Sequence, residues 1–272
     1  MRRHACVVAA VVCVLAMANG AAARVTSEFD LPNAAVATNP QTIVSAQPSD
    51  GAATNQSFGL QVKQRLQESL TGDLLDHFDL FVYVSKAKAG PWAQRMYVFQ
   101  KQPDRDLYQL YDWPISTGRE EIEPTPLGQP VPTSTPAGYY ELDPGRFYAQ
   151  YRSEQWGEPM AYAMFLKWID HGVKTGLAIH AAPDDALDQL GARASAGCVR
   201  LAPENARILF TLIHDSYKGD VPALAYDKTT QTVMNNGMLE RDESGNLKFE
   251  PGFRVLVLID EYGGRNLEAA LY

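Results

Sequence analysis

The sequence has little cysteine and no spaced set of metal-ligating residues. Three cysteines occur in 272 residues, and two of them, Cys6 and Cys13, lie close to the N-terminus. No cluster of His and Cys has the spacing of a zinc site, so no metal is expected. The chain also lacks a phosphate-binding Gly-rich loop and the Gly-x-Ser-x-Gly turn of serine hydrolases. We therefore expect chemistry that uses no cofactor.

Basic charge and long apolar runs are also scarce. The chain has 24 Lys and Arg against 32 Asp and Glu, which gives a formal net charge of −8. Nucleic acids and anionic membrane surfaces attract basic proteins, so this acidity argues against both as partners. The one long apolar run lies at the N-terminus.

That run has the layout of a secretory signal peptide. Two arginines open the chain, an apolar stretch follows from Ala5 to Met17, and three alanines at 21–23 offer a cleavage site. A membrane anchor needs about 20 apolar residues, and polar residues interrupt this run before it reaches that length. We predict a signal peptide over 1–23, export to the periplasm or cell wall, and no membrane span after cleavage. Cleavage would leave Cys198 alone, and a single cysteine in an oxidising compartment suggests a reactive thiol or an intermolecular bridge.

The rest of the chain predicts a mainly β domain with a few peripheral helices. Residues 24–58 are polar and predict a flexible leader. Apolar residues at spacings near four predict an amphipathic N-terminal helix over 59–78, with one face formed by Leu60, Val62, Leu66, Leu70 and Leu74. Short aromatic and β-branched segments such as "DLFVYVSK" and "TGLAIHA" predict strands across 79–227, with a Pro-led helix near 203–217. Residues 228–272 are predicted to form a C-terminal extension with one strand, "FRVLVLIDEY".

Two short segments could carry chemistry. Side chains alternate along a strand, so His180 in "TGLAIHA" points away from the apolar face that holds Ile179. The same alternation in "SAGCVRL" puts Cys198 and Arg200 on one side. A neighbouring cation favours the thiolate, so a lowered pKa is expected for Cys198. These residues alone leave open whether Cys198 is a nucleophile or a buried structural thiol.

The residues before the cysteine predict a tight turn. Gly197 has no Cβ, so the turn could direct backbone N–H groups at a developing oxyanion. Ser195 could steady this turn or hydrogen-bond nearby. His77, His171 and His214 are expected to be structural or solvent-facing, although His171 could line a cleft.

These motifs resemble the catalytic signature of the YkuD-type L,D-transpeptidases, a His followed by a Ser-His-Gly-Cys-(Ile/Val)-Arg block. "WPISTGRE" and "TSTPAGYYEL" are similar to the family's upstream motifs, and the likeness spans about 79–227. The resemblance implies a β-sandwich-like domain in which Cys198 is the nucleophile and His180 the general base. It further implies that backbone N–H groups at Gly197 and Cys198 stabilise the oxyanion and that the Ala181 carbonyl orients His180. Arg200 and Ser195 are then expected to bind substrate.

The implied substrate is the peptidoglycan stem peptide, cleaved through a thioester acyl-enzyme. The acceptor would be an amine of another stem peptide, giving a 3–3 cross-link, or of a wall-attached protein. Two positions depart from the family: Ala181 replaces the usual Gly, and Ala196 replaces the usual His. We expect both to affect tuning more than the basic chemistry.

Three alternatives stay open. Water could be the acceptor, which would make the protein an L,D-carboxypeptidase or a hydrolase that releases wall proteins. A papain-like or NlpC/P60-like peptidase is disfavoured because His180 precedes Cys198 in the chain. A wall-binding protein that has lost catalysis would explain Ala181 and Ala196 as erosion.

Overall fold

A computed structural model describes residues 50–261, with side chains described from Phe58 onward. The helices of this part are α1 (Asp50–Ser69), α2 (Gly72–His77) and α3 (Pro203–Ser216), together with a 3₁₀ helix at Asp184–Gln189. The predicted signal peptide, most of the predicted leader and the last eleven residues of the chain lie outside the described residues. None of the helices in 50–261 has the length and apolar character needed to cross a membrane.

The strands dominate the described part of the chain, as the sequence predicts. In chain order they are β1 (Leu80–Ser85), β2 (Arg95–Lys101), β3 (Leu107–Gly118), β4 (Ile122–Pro124), β5 (Pro130–Pro132), β6 (Gly138–Tyr148), β7 (Ala163–Leu166), β8 (Ile169–Asp170), β9 (Val173–Lys174), β10 (Ala178–Ala181), β11 (Arg193–Ser195), β12 (Val199–Leu201), β13 (Lys218–Pro222), β14 (Tyr226–Asp227), β15 (Thr232–Val233), β16 (Phe249–Phe253) and β17 (Val255–Asp260).

Two long strands join two sheets into a closed sandwich. The first part of β3 pairs with β2, and Ile115 and Ser116 further along β3 pair with β12. Strand β6 pairs first with β17 and then with β7. The helix-side sheet therefore runs β3-β2-β1-β17-β6, and the cleft-side sheet runs β6-β7-β10-β12-β3. A sheet closed in this way leaves few unpaired edges. The predicted β-sandwich-like fold is confirmed.

The core lies between the two sheets. Alternate residues of β1 and β17, such as Val82 and Val257, face residues of the cleft-side sheet such as Ile179 and Val199. The interior face of α3 completes this core through Leu209 and its neighbours. The opposite face of the cleft-side sheet is thereby left for a site.

Helices α1 and α2 cover the outer face of the helix-side sheet. Val62 and Leu66, one turn apart on α1, are buried with Phe81 and Leu258 of the sheet. The single helix predicted over 59–78 is in fact two helices, because the chain turns between Ser69 and Gly72. Leu60 was also expected on the apolar face but is 65% exposed, since its position on the turn points away from the sheet.

The C-terminal part is integral to the sandwich, which corrects the prediction of an extension with one strand. Strands β15, β16 and β17 all lie beyond residue 228, and β17 runs between β1 and β6. Leu80 pairs in parallel with Val255, and Ser85 with Asp260. Every residue of β17 is buried, because the core covers one of its faces and the helices cover the other.

Candidate active site

A cleft of about 630 Å³ opens on the outer face of the cleft-side sheet. Cys198, His180 and Arg200 line it, so the structure brings these three predicted residues together. Its walls are mostly aromatic and charged, and include Tyr151, Trp156, Glu158, Phe165 and Trp168. This size and lining suit a peptide-sized ligand with a few polar anchors.

His180 enters the cleft from β10, whose alternation follows the prediction. Ile179 and Ala181 face the core, and His180 and Ala178 face outward. The His180 Nδ1 lies 2.8 Å from the carbonyl oxygen of Ala181. A carbonyl only accepts hydrogen bonds, so Nδ1 carries the hydrogen and Nε2 keeps a free lone pair. The ring thus has the tautomer that a base acting through Nε2 requires.

Burial keeps this imidazole neutral. His180 is 3% exposed, and desolvation lowers its pKa to about 4. The Ala181 carbonyl opposes this shift, whereas the positive charge of Arg200 adds to it. His180 is therefore an unprotonated base at neutral pH.

Cys198 lies in the turn that leads into β12, the strand that pairs with β10. The parallel register pairs Ile179 with Val199 and His180 with Arg200, so Cys198 is one step before these pairs. Its Sγ donates a hydrogen bond to the carbonyl oxygen of Gly176 at 3.4 Å. The thiol of this structure is thus directed at a loop carbonyl rather than at the imidazole.

The thiol pKa shifts in the direction opposite to the sequence-based expectation. Desolvation in the floor of the cleft raises the pKa of Cys198 to about 11. The Ala178 N–H and the Arg200 guanidinium lower it, but they do not overcome burial. The expected effect of Arg200 is weakened because Glu158 neutralises it and itself raises the thiol pKa. The resting pair is a neutral thiol and a neutral imidazole.

The turn before Cys198 is held by Ser195. The Ser195 hydroxyl donates to the Cys198 carbonyl at 2.5 Å and accepts from the Gly197 N–H at 3.1 Å. Ser195 is fully buried and does not line the cleft, so the substrate-binding role predicted for it does not fit. The Gly197 N–H is also committed to this bond, so it does not fit its part of the predicted oxyanion role.

Arg200 forms an ion pair inside the cleft. Its Nη2 lies 2.7 Å from the Glu158 carboxylate, and the side-chain exposures are 7% for Arg200 and 48% for Glu158. Within residues 50–261, the Arg200 Nε has no hydrogen-bond partner. The guanidinium is therefore incompletely satisfied, and its partner is half exposed.

The family model for the L,D-transpeptidase catalytic domain, YkuD, matches residues 83–233, which is more than half of the chain. The chain belongs to the L,D-transpeptidase family. Strand β17 lies beyond the matched range although it runs between β1 and β6 in the sandwich. Among curated proteins, none matches the sequence significantly.

Several solved structures are similar to this chain at low identity. LdtMt1 in complex with imipenem is 16% identical over 67% of this chain and 59% of its own, with a TM-score of 0.35. An L,D-transpeptidase from Xylanimonas cellulosilytica is 16% identical over 74% of this chain and 69% of its own, with a TM-score of 0.37. The helical cell shape determining protein Pgp2 from Campylobacter jejuni is 17% identical over 75% and 56%, with a TM-score of 0.36. This chain thus covers under two thirds of the LdtMt1 and Pgp2 chains.

The two positions that depart from the family signature differ in surroundings. Ala181 faces the core and contributes its carbonyl to His180, so a methyl group there leaves that hydrogen bond intact. Ala196 lines the cleft two residues before Cys198, at the position where the family signature has histidine.

Sequence reasoning missed several groups at the site. Gly176, Glu158 and Thr135 contact Cys198, Arg200 and Gly197 respectively, across gaps of 22, 42 and 62 residues. Thr135 and Gly176 lay in segments that the sequence singled out, "TSTPAGYYEL" and "TGLAIHA", whereas Glu158 lay in neither. His171 is 78% exposed and paired with Asp170, and does not line the cleft.

Proposed function

We propose that this family member is a cysteine-dependent L,D-transpeptidase that acts on peptidoglycan stem peptides. The observation that carries the proposal is His180, a buried neutral imidazole with Nδ1 bound to Ala181 and Nε2 free, on the strand beside Cys198. A base, an orienting carbonyl and a nucleophile in one cleft are the parts of cysteine acyl transfer.

Acylation begins when the Cys198 thiol leaves the Gly176 carbonyl and turns toward His180. Nε2 takes the thiol proton as Sγ bonds to the carbonyl carbon of the L-configured centre of the diamino acid, and the carbonyl π electrons move to oxygen. The tetrahedral intermediate then collapses, and the bond to the terminal D-alanine nitrogen breaks. His180 returns the proton to that amine, which leaves a thioester on Cys198.

Deacylation reverses the proton path. An acceptor amine attacks the thioester carbonyl and gives its proton to His180. The C–S bond then breaks, and the sulfur recovers the proton as the thiol. The product is a new amide bond, either a 3–3 cross-link or an attachment of a protein lysine.

Arg200 is the proposed anchor for a substrate carboxylate. It faces the cleft two residues after Cys198, and its partner Glu158 is half exposed and able to move away. A stem peptide ending in D-alanine carries such a carboxylate, and guanidinium groups bind carboxylates in bidentate geometry. In this structure the Glu158 carboxylate then occupies the position proposed for the substrate carboxylate.

The test is covalent labelling with imipenem, followed by intact mass and peptide mapping. The wild-type protein should gain one adduct at Cys198, Cys198→Ala should gain none, and His180→Ala should react at least about 10²-fold more slowly because base catalysis contributes about 10²–10⁴-fold. His171→Ala is the matched control, since this exposed histidine lies outside the cleft. Absence of a wild-type adduct would overturn the proposal and favour a wall-binding protein without catalysis.

Product analysis separates the transpeptidase from the hydrolase. Stem tetrapeptides incubated with the protein should give dimers that contain a 3–3 bond. Tripeptide and free D-alanine without dimers, even with excess acceptor amine, would identify an L,D-carboxypeptidase that uses the same acylation step.

A further inference from the structure

We infer that Thr135 is a positioning residue that aims the Cys198 N–H at the oxyanion of the acylation step. This inference rests on the proposed acyl transfer through Cys198. Thr135 lies 63 positions before the cysteine and belongs to the segment that follows the β4–β5 hairpin. Its link to the reacting atoms is a single hydrogen bond to the nucleophile turn.

The hydroxyl of Thr135 has a fixed direction. It donates to the Gly197 carbonyl oxygen at 2.5 Å and accepts from the Gly118 N–H at 2.8 Å. A hydroxyl has one hydrogen, and the Gly118 N–H can only donate, so that hydrogen must point at Gly197. Thr135 is fully buried, so water does not compete for either bond.

This bond sets the orientation of a peptide unit that reaches the nucleophile. The Gly197 carbonyl and the Cys198 N–H belong to one planar peptide and point in opposite directions. Holding the oxygen at Thr135 therefore turns the N–H to the opposite side of the peptide, away from Thr135, and the proposal assigns that direction to the oxyanion. Because Ser195 already accepts the Gly197 N–H, the Cys198 N–H is the donor of this turn that we assign to the oxyanion.

The turn needs support from another segment because the backbone dihedral angles of a glycine are only weakly restricted. We call the Thr135 hydroxyl, which gives this support, the clamp. Gly197 has φ +120°, a region that glycine enters freely and other residues rarely adopt. Its position is already crowded, since a Cβ there would lie 3.0 Å from the Ser134 carbonyl oxygen. Backbone freedom at 197 would let the next peptide rotate, and the Thr135 hydroxyl removes that freedom.

Thr135 is itself held at both ends of its backbone. The Lys86 ammonium donates to the Thr135 carbonyl at 2.7 Å and lies 2.7 Å from the Glu120 carboxylate. The same carboxylate accepts the Thr135 N–H at 3.3 Å. A buried lysine is costly unless it is paired, so this cluster is a built support rather than an incidental contact.

Glu120, which joins Lys86 to Thr135 in this cluster, also has an unusual backbone conformation. Glu120 has φ +64°, a conformation that costs a residue with a side chain and persists only where its surroundings impose it. Its carboxylate is the group that joins Lys86 to Thr135. The chain thus keeps an unfavourable conformation at the point where the clamp is anchored.

The decisive experiment compares two reactions of the same thiol in the full-length protein. Imipenem acylation passes through a tetrahedral oxyanion, whereas iodoacetamide alkylation attacks a saturated carbon and forms none. Removing an oxyanion donor outright costs about 10²–10³-fold. Thr135→Val keeps the donor but releases its aim, so acylation should slow by about 10- to 100-fold, with the alkylation rate within about twofold of wild type.

Two variants serve as controls. Thr135→Ser keeps the hydroxyl and should restore most of the acylation rate. Thr133→Val makes the same change at another fully buried threonine of this segment, whose hydroxyl binds the Glu121 backbone instead of the nucleophile turn. It should leave the ratio of the two rates unchanged.

The outcomes separate this inference from the proposed function. A wild-type protein that imipenem labels at Cys198, with Thr135→Val acylated at the wild-type rate, overturns the inference alone. Equal losses of acylation and alkylation in Thr135→Val would show a merely structural role and also overturn it. Failure of imipenem to label the wild-type protein removes the proposed function, and the inference falls with it.

Discussion

The protonation state of the thiol and imidazole predicts an unusual pH profile for acylation. Desolvation lowers the pKa of His180 to about 4 and raises the pKa of Cys198 to about 11. A general base works in its unprotonated form, so the acid limb of the imipenem acylation rate should lie near pH 4. An ordinary histidine would place that limb near about pH 6.5.

The difference is large at pH 5. A base with a pKa of about 4 is roughly 90% unprotonated there, so acylation should retain about nine tenths of its pH 7 rate. With a pKa of about 6.5 the rate would fall to about 4% of its value at pH 7. Measuring the acylation rate by mass spectrometry between pH 5 and 8 distinguishes the two cases.

Alkylation of the same thiol should show the opposite behaviour. At pH 7 a thiol with a pKa of about 11 is about 0.01% thiolate, about 300-fold less than a free thiol near 8.5. The more basic thiolate is about tenfold more nucleophilic, so iodoacetamide should react about 30-fold more slowly than with N-acetylcysteine. The rate should rise tenfold per pH unit up to at least pH 9.

A contrary result is easily recognised. An inflection of the alkylation rate below pH 8 would refute the raised pKa of the Cys198 thiol, and an acylation limb near about pH 6.5 would refute the lowered pKa of His180. Folding must be checked in parallel. The unfolded chain binds the His180 proton below about 6.5 and the folded chain only below about 4, so acidification across this window removes up to about 3 kcal/mol of stability.

Four further predictions concern the fold and the cleft. Asp260→Ala removes the carboxylate that accepts hydrogen bonds at 2.5 Å from the buried Tyr83 of β1 and the partly buried Arg65 of α1, and should cost about 3 kcal/mol in urea unfolding with the acylation rate of the folded protein unchanged. Leu258→Ala, in the middle of β17, should cost about 2–5 kcal/mol; a loss below about 1 kcal/mol would contradict the central place of that strand. Gly197→Ala adds a methyl group at φ +120° and 3.0 Å from a carbonyl oxygen, and should slow imipenem acylation at least about tenfold, the strain being about 1–3 kcal/mol. Glu158→Gln removes the charge that competes for Arg200, so the KM for a stem tetrapeptide should fall; an unchanged KM would leave Arg200 a purely structural role.

Local sequence signals were sufficient for the strands and for the direction of side chains. "TGLAIHA" and "SAGCVRL" alternate small or polar residues with apolar ones, and the structure places His180, Cys198 and Arg200 on the cleft side. Alternation is a property of the extended chain itself, so it can be read without knowing the partner strand. The hydrogen bond from His180 to the next carbonyl is local for the same reason.

Long-range pairing could not be predicted in this way. Both faces of β17 are mostly apolar, and this pattern identifies a buried strand but does not identify its neighbours. Its position between β1 and β6 depends on contacts across more than a hundred residues, and no turn or loop motif specifies them. For the same reason the sequence did not identify Thr135 as a site residue. Its motif is recognisable, but the sequence does not show that its hydroxyl contacts Gly197.

The thiol pKa shows how tertiary structure can reverse a local inference. Arg200 is two residues from Cys198, and in water a neighbouring cation favours the thiolate. In the folded protein Glu158, 40 residues before Cys198, neutralises that cation, and the cleft desolvates the sulfur. Sequence proximity identified the right pair of residues but the wrong direction for the net shift of the thiol pKa.

A neutral thiol changes where the catalytic power has to come from. A thiolate formed in the ground state would react with many electrophiles and oxidants, because oxidation follows thiolate character. A thiol with a pKa of about 11 is largely protected, which suits a lone cysteine in the exported protein that the N-terminal sequence predicts. In the proposed mechanism, reactivity then arises in the transition state, through proton transfer to His180 and donors aimed at the oxyanion. A rigid support behind the Cys198 peptide is therefore the feature that such a site most needs, and Thr135 with Lys86 and Glu120 provides one.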